Sequence, residues 1–399
     1  MKQIELTIQA LAPLAIGRKK PGSVSEASDF IRGSVIRGSV ANQLLREGGS
    51  PEEGDHFHAL FLNREAAVFG NAYPTVPDAA TVSVIPGTVV SSKTHPGFRG
   101  SNGGNGAFDT LIDRFCAAEY GHPYDPSCPQ DGDRVEPFSG VCSRNGDSYR
   151  NHSVPKRLLT RVGINRRRAT AEEQILYSLE VLSERNGNQP SYFQSTVQVA
   201  DDQLAERLAA FINQRQRRFR LGGARSRGLG KVAMAAQVRE PDSSLSSRVE
   251  AFNRTLRDRW EMWGVFGLPQ QSLDTAGTFF SLDMQAEAIL RENWLRTTVI
   301  SPAMLSRFAD VDDPSLQLHA TYSSYDYLSG WNEAWGLMKD LELVTEPGAV
   351  YLFSTERPEA WQPALERLEH WGLGQRRSEG FGQLQVCHEL HQVMREEAV

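Results

Sequence analysis

LGGARSRGLGKV (221–232) and LGQRRSEGFGQL (373–384) are two versions of one segment. Aligned without gaps, they share Leu221/Leu373, Gly222/Gly374, Arg225/Arg377, Ser226/Ser378, Gly228/Gly380 and Gly230/Gly382. Identity at half the positions, with the glycines in register, marks an internal repeat. The flanks agree. DDQLAERLAAFINQRQRRF (201–219) sets Leu204, Leu208, Phe211 and Ile212 at helical spacing behind an acidic start, and RPEAWQPALERLEHWG (357–372) does the same with Trp361, Leu365 and Leu368. Strand-like KVAMAAQVRE and QLQVCHEL follow the loops; YFQSTVQVA (192–200) and AVYLFST (349–355) precede the helices. Strand, helix, glycine loop, strand is the second half of a βαββαβ unit.

The first half of unit one fits the N-terminus. IELTIQALAPLAIG (4–17) reads as a strand and RKKPGSVSEASDFI (18–31) as a loop. From about Ser34 a helix can pack through Val35, Val40, Leu44 and Leu45. In unit two, LRTTVISPAML (295–305) is expected to be the strand, and SYDYLSGWNEAWGLMKD (324–340) a helix or irregular segment. The expected fold class is α+β: two ferredoxin-like (RRM-like, βαββαβ) domains in tandem, each with a Gly-rich loop before its last strand. Their bounds are 1–235, carrying a large insertion at about 70–155, and 291–399. A connector at 236–290 holds one helix, SRVEAFNRTLRDRWEMWG. The insertion, rich in Gly, Pro, Asn and Ser, is expected to be functional or partly disordered.

The 399 residues suit two domains, and 40% hydrophobic with 23% charged residues is ordinary globular composition. No run of apolar residues is long enough for a membrane span. Glu5 and Gln9 interrupt the N-terminal segment and no small-residue cleavage site follows, so an opening strand is expected there rather than a signal peptide. Four cysteines make no disulfide framework, and a reducing cytoplasm is expected.

A net charge of −6 argues against a generic DNA-coating protein, but affinity for phosphate depends on local charge. Residues 214–231 hold Arg215, Arg217, Arg218, Arg220, Arg225, Arg227 and Lys231 without an acid. Residues 154–168 hold six further basic groups, ending in Arg166, Arg167 and Arg168. Alternate glycines let the backbone come close to a partner, bare amides form anion-binding concavities, and arginines add planar forks for phosphate. A polyanion is therefore the expected partner. Dinucleotide and ATP loops are excluded. Gly228-x-Gly230 follows a helix instead of a strand and lacks the third glycine, and GLGKV lacks the remaining phosphate-loop residues.

The sequence resembles the RAMP superfamily of CRISPR-associated proteins, whose RRM-like domains end in a loop of the type G-x-x-R-S-x-G-(F/L)-G. Both loops match. A second hallmark, a strand ending "SPL-x-IG", a basic loop and "IPGSS-x-RGA", is matched by Pro13, Leu14, Ile16, Gly17, Gly33, Ser34, Arg37 and Gly38, with Arg32 in place of the usual proline. Arg18, Lys19 and Lys20 stand in the basic loop. GINRRRATAEEQILYSLEVL (163–182) looks like the strand-turn-strand of large RAMP subunits. A chain of this length with two such loops is similar to the tandem-RAMP subunit of type III effector complexes, closest to type III-D. The resemblance implies a non-catalytic scaffold for crRNA in antiviral defence, capping the 5′ handle. It also implies partners among the RAMP backbone subunits and the large signalling subunit, with no direct DNA contact. It assigns RNA contacts to Gly222, Gly223, Arg225, Ser226, Arg227, Gly228, Gly230 and Lys231, to Arg376, Arg377, Gly380 and Gly382, and to Ser34 and Arg37.

Two catalytic alternatives follow. A metal-independent endoribonuclease processing the guide precursor needs an acid and a base, often histidine, but the nine histidines are scattered. His56 and His58 do not share a helix face, and His95 and His152 flank the insertion. A backbone-type RAMP subunit would cut target RNA through an aspartate after the first strand, where Asp29 stands beside Glu26. No cofactor is expected apart from a structural zinc that Cys116, His122, Cys128 and Cys142 could hold, although their spacing lacks Cys-x-x-Cys. Trp260, Trp263, Trp331, Trp335, Tyr322, Tyr325 and Tyr327 are expected to serve core or subunit contacts, with one or two free to stack on a base.

Overall fold

The structure, a computed structural model, describes every residue except 1, 18–23, 49–56, 64–65, 78, 80, 101–102, 147, 166–169, 242–243, 271–272, 274–276 and 333–335. It is α+β. Strand β1 (Lys2–Ala10), helix α1 (Gly33–Gly48) and strand β2 (Ala67–Phe69) open the first unit. An insertion containing helix α2 (Leu111–Glu119) follows, then β3 (Tyr192–Val199), α3 (Asp202–Gln214) and β4 (Val232–Arg239). The sheet order is β4-β1-β3-β2, antiparallel throughout. Along β1, Ile4, Leu6 and Ile8 alternate inward and meet Ile36 and Val40 of α1 and Leu208 and Ile212 of α3.

Helix α4 (Leu245–Trp263) leads to the second unit: β5 (Thr278–Met284), α5 (Pro302–Ala309), β6 (Gln317–Tyr322), β7 (Val350–Thr355), α6 (Pro358–Trp371) and β8 (Leu384–Val386). Its antiparallel order, β6-β7-β5-β8, repeats the first. This sheet is covered on both faces. Phe280 stacks on Phe353 and meets Trp361 of α6, while its neighbour Phe279 points the other way to Phe115 of α2.

Four expectations change. The first strand of unit two is β5, so a boundary at 291 falls too late; β5 is buried on almost every residue and shows no alternation. Residues 295–305 are not one strand. Leu295–Thr297 closes a short hairpin with Leu290–Glu292, and Ser301 caps α5 by accepting the Met304 amide at 3.0 Å, ahead of Pro302. Residues 324–340 belong to a hairpin, Tyr325–Asn332 against Leu337–Thr345. The insertion is folded, and its α2 is tied to α4. Asp113, fully buried, receives two bonds of 2.8 Å from Arg259 and one of 3.0 Å from Trp263.

Each unit places a β-hairpin between its second and third sheet strands: Lys156–Asn165 with Thr170–Leu182 in the first, and 325–345 in the second. The C-terminal segment is locked in by His391. Its Nε2 lies 2.7 Å from Asp283 of β5, and its Nδ1 lies 3.1 Å from Asp109 of the insertion, an ion-pair distance without hydrogen-bond geometry. Burial disfavours its charge, but the two carboxylates hold its pKa up at about 10.

Candidate nucleic-acid interface

The two glycine loops share one hydrogen-bond scheme. Leu221 N donates to Gly230 O and Leu373 N to Gly382 O, at 2.8 and 2.9 Å. Gly223 N donates to Ala15 O, and Gln375 N to Ile289 O; Gly230 N donates to Pro13 O, and Gly382 N to Glu287 O. The repeat therefore pairs Pro13 with Glu287 and Ala15 with Ile289, although neither pair is alike in sequence. Gly228 (φ 84°) and Gly380 (φ 93°) take the left-handed backbone that L side chains avoid. Leu229 and Phe381, at matching positions, each plug into a small cluster beneath their own hairpin.

Their surroundings differ. In the first loop Gly223, Ser226, Arg227, Gly228 and Lys231 are exposed, and a Cβ built on Gly228 would meet nothing within 4 Å. Arg227 lies over the Tyr177 ring, donates to its hydroxyl, and has its own carbonyl capped by Arg161 at 3.2 Å. Arg217 and Arg218 are exposed nearby, and Arg220 donates to the carbonyls of Arg217 and Phe219. The neighbouring Arg215 is ion-paired to Glu47 at 2.5 Å. Arg161 and Tyr177 belong to the hairpin, and nothing in the repeat pointed to them.

The second loop is closed against the first unit. A Cβ on Gly380 would lie 2.6 Å from Phe69 O, and one on Gly33 would lie 1.9 Å from that oxygen and 2.8 Å from Glu379 O. Glu379, in the place of Arg227, binds Arg376 at 2.7 Å and Lys339 at 2.9 Å. Burial works against its charge, but these cations hold its carboxyl down to about 2. Around it Gly33 N donates to Asn71 at 2.9 Å, Arg32 pairs with Glu287 at 3.2 Å, and Tyr73 donates to Gln285 O. Arg37 donates to Phe61 O at 2.9 Å and lies over the Phe61 ring; burial lowers its pKa, with Glu379 opposing.

Thus Gly380 and Arg37 stand at a seam between the units; Arg376 and Gly382 are held within the second unit, Ser34 lies in the first turn of α1, and Arg377 stands in the half-buried turn of the second loop. The first loop is exposed, whereas this turn is half-buried. The signal was in the repeat: an acid replaces an arginine at one aligned position. Arg18, Lys19, Lys20, Arg166, Arg167 and Arg168 lie outside the described residues.

Asp29 is exposed and paired with Lys156 at 2.7 Å, at the rim of a cleft of about 110 Å³ between the units. The zinc ligands do not converge. Cys116 is buried in the second unit's core, where burial pushes its thiol up to about 12; Cys142 lies in a separate cluster, and His122 packs on Phe266. Among the described residues no group of three or more His, Cys, Asp or Glu side chains could hold a metal. Among them, too, no helix is long and apolar enough to cross a membrane.

Two antiparallel sheets of matching order, each closed by an arginine-bearing glycine loop, define an α+β protein of internally repeated architecture. Residues 7–233, more than half of the chain, match the RAMP superfamily, and the chain belongs to it. It is similar to a chain of a type III-B Cmr-beta complex bound to cognate target RNA and AMPPnP, solved by cryo-electron microscopy, with 12% identity, 87% of this chain and 86% of that chain covered, and a TM-score of 0.43. A second Cmr-beta structure bound to cognate target RNA gives 11% identity, 96% of both chains and 0.43. Oligomeric Cmr4 from Pyrococcus furiosus gives 13% identity, 60% of this chain, 99% of that one and 0.27. No curated protein matches.

Proposed function

We propose that this chain is a crRNA-binding RAMP subunit of a type III CRISPR effector complex, made of two ferredoxin-like units in tandem, and that it holds RNA without cutting it. In this reading it caps the 5′ handle beside the large signalling subunit and a backbone RAMP subunit. One observation carries the RNA contact: of two loops with the same backbone, the one with Arg227 and Lys231 is open, while the one with Glu379 is sealed. The open loop offers the exposed Arg227 and Lys231 cations beside Arg217 and Arg218, which suit a phosphate backbone.

Replacing Arg227 and Lys231 together by alanine tests this. With two fewer phosphates neutralised, the slope of log K against log salt for a single-stranded RNA should fall by about 1.4. An unchanged slope overturns the assignment of the loop. Recovery of a short RNA of uniform 5′ end with the chain, co-expressed with its neighbours, supports the capping role, and ragged ends count against it.

A further inference from the structure

Leu290–Glu292 and Leu295–Thr297 pair with Arg291 opposite Arg296, leaving Asn293 and Trp294 as a two-residue turn. Both turn residues have positive φ, 47° and 68°. Asparagine tolerates this conformation, but tryptophan at the second position replaces the residue such turns favour, glycine, and strains the backbone. The ring gains no packing in return. Trp294 is 96% exposed and Leu295 beside it 72%. Among the described residues Trp294 makes no aromatic or cation–π contact, unlike Trp260, Trp263 and Trp361.

The base of this finger is fixed. Arg291 reaches both oxygens of Glu342 at 3.1 Å, and Arg296 approaches one of them at 3.7 Å. Arg307 donates to Arg291 O at 3.3 Å, and Ser301 donates to Glu292. A rigid stem thus holds a bare indole at the tip of a hairpin whose strands carry Arg291 and Arg296 and whose base is braced by Arg307.

The geometry points to Trp294 as a stacking platform for an unpaired base of a single-stranded polynucleotide, with Arg291, Arg296 and Arg307 toward the flanking phosphates. This rests on the RNA-binding reading above but uses a different surface. Stacking on a planar ring accepts any base, and arginines supply the backbone charge that an apolar protein socket would not need.

Trp294→Gly is the informative variant, because glycine relieves the turn while deleting the ring. It should melt no lower than wild type, and yet bind a fluorescent single-stranded oligoribonucleotide about tenfold more weakly. Trp294→Phe should retain most of the affinity. The salt slope should be unchanged, since no charge is removed, which separates this effect from removal of Arg227 and Lys231. If wild type binds RNA with a loop-dependent slope but Trp294→Gly binds equally well, the platform is refuted while the loop assignment stands. If wild type binds no RNA, both fail. If RNA affinity holds but the neighbouring subunits dissociate from Trp294→Gly, the finger is a protein knob and the proposal is overturned.

Discussion

Replacing Gly228 and, separately, Gly380 by alanine imposes the same backbone strain in two different surroundings. Both residues sit at φ near 90° at the end of the same short helical turn, so each substitution costs about 1–2 kcal/mol from left-handed strain. At Gly228 nothing is added, because the space around its Cβ is empty. At Gly380 the new methyl would lie 2.6 Å from Phe69 O, a backbone atom held in the β2–β3 ladder, with Gly33 on the far side. Overpacking of this kind adds about 1–3 kcal/mol, for a total of roughly 2–5. Urea denaturation of the two variants, compared at equal m, gives the difference directly. Small-angle scattering reports whether the units part in Gly380→Ala. Equal destabilisation at the two positions, with unchanged scattering, would mean that the seam is not closed by the second loop.

Two further outcomes follow from buried charge. His391 has its pKa raised from 6.5 in the unfolded chain to about 10, so its contribution is complete below about pH 6.5, declines as the pH rises and is gone above 10. Wild-type stability should fall across pH 7–10 by up to about 5 kcal/mol, and His391→Gln should flatten that slope in denaturation curves. Arg259→Ala strands the Asp113 carboxylate between α2 and α4 and should cost about 3–5 kcal/mol, while Arg259→Met with Asp113→Leu should recover most of it in the same assay.

The glycine loops, α3 and α6 were legible because their signals are local: spaced glycines, and apolar residues at helical spacing behind an acid or a proline. β1 was legible through its alternation. What failed was set by distant partners. β5 and β7 are buried on both faces because α2 and α4 cover the back of the sheet, and such strands carry no period to read. The Ser301-Pro302 start of α5 could have been found, but the apolar residues around it suggested a strand. The insertion looks loose in composition, yet Val89, Phe98 and Phe108 form a cluster with Leu390 and Val393 of the C-terminal segment, nearly 300 residues away. Its three cysteines, Cys116, Cys128 and Cys142, are all buried, so their number said nothing about metal.

The candidate site was half legible for a reason that the repeat itself supplies. A loop whose backbone is fixed by its own glycines can face different surroundings as its variable positions change, and the outward position at 227 and 379 changes sign. Where that position is Glu379, the carboxylate is taken up by Arg376 and Lys339 within the second unit and faces Arg37 of the first, and the turn closes on Gly33. Where it is Arg227, the same turn would bring a guanidinium toward a cation at such a seam, and it stays open beside Arg217, Arg218 and Lys231. This change of sign at one aligned position accompanies a turn closed on the other unit in one case and an exposed turn in the other. The identities reveal that the two loops share a backbone; among the mismatches, this one follows the difference in their surroundings.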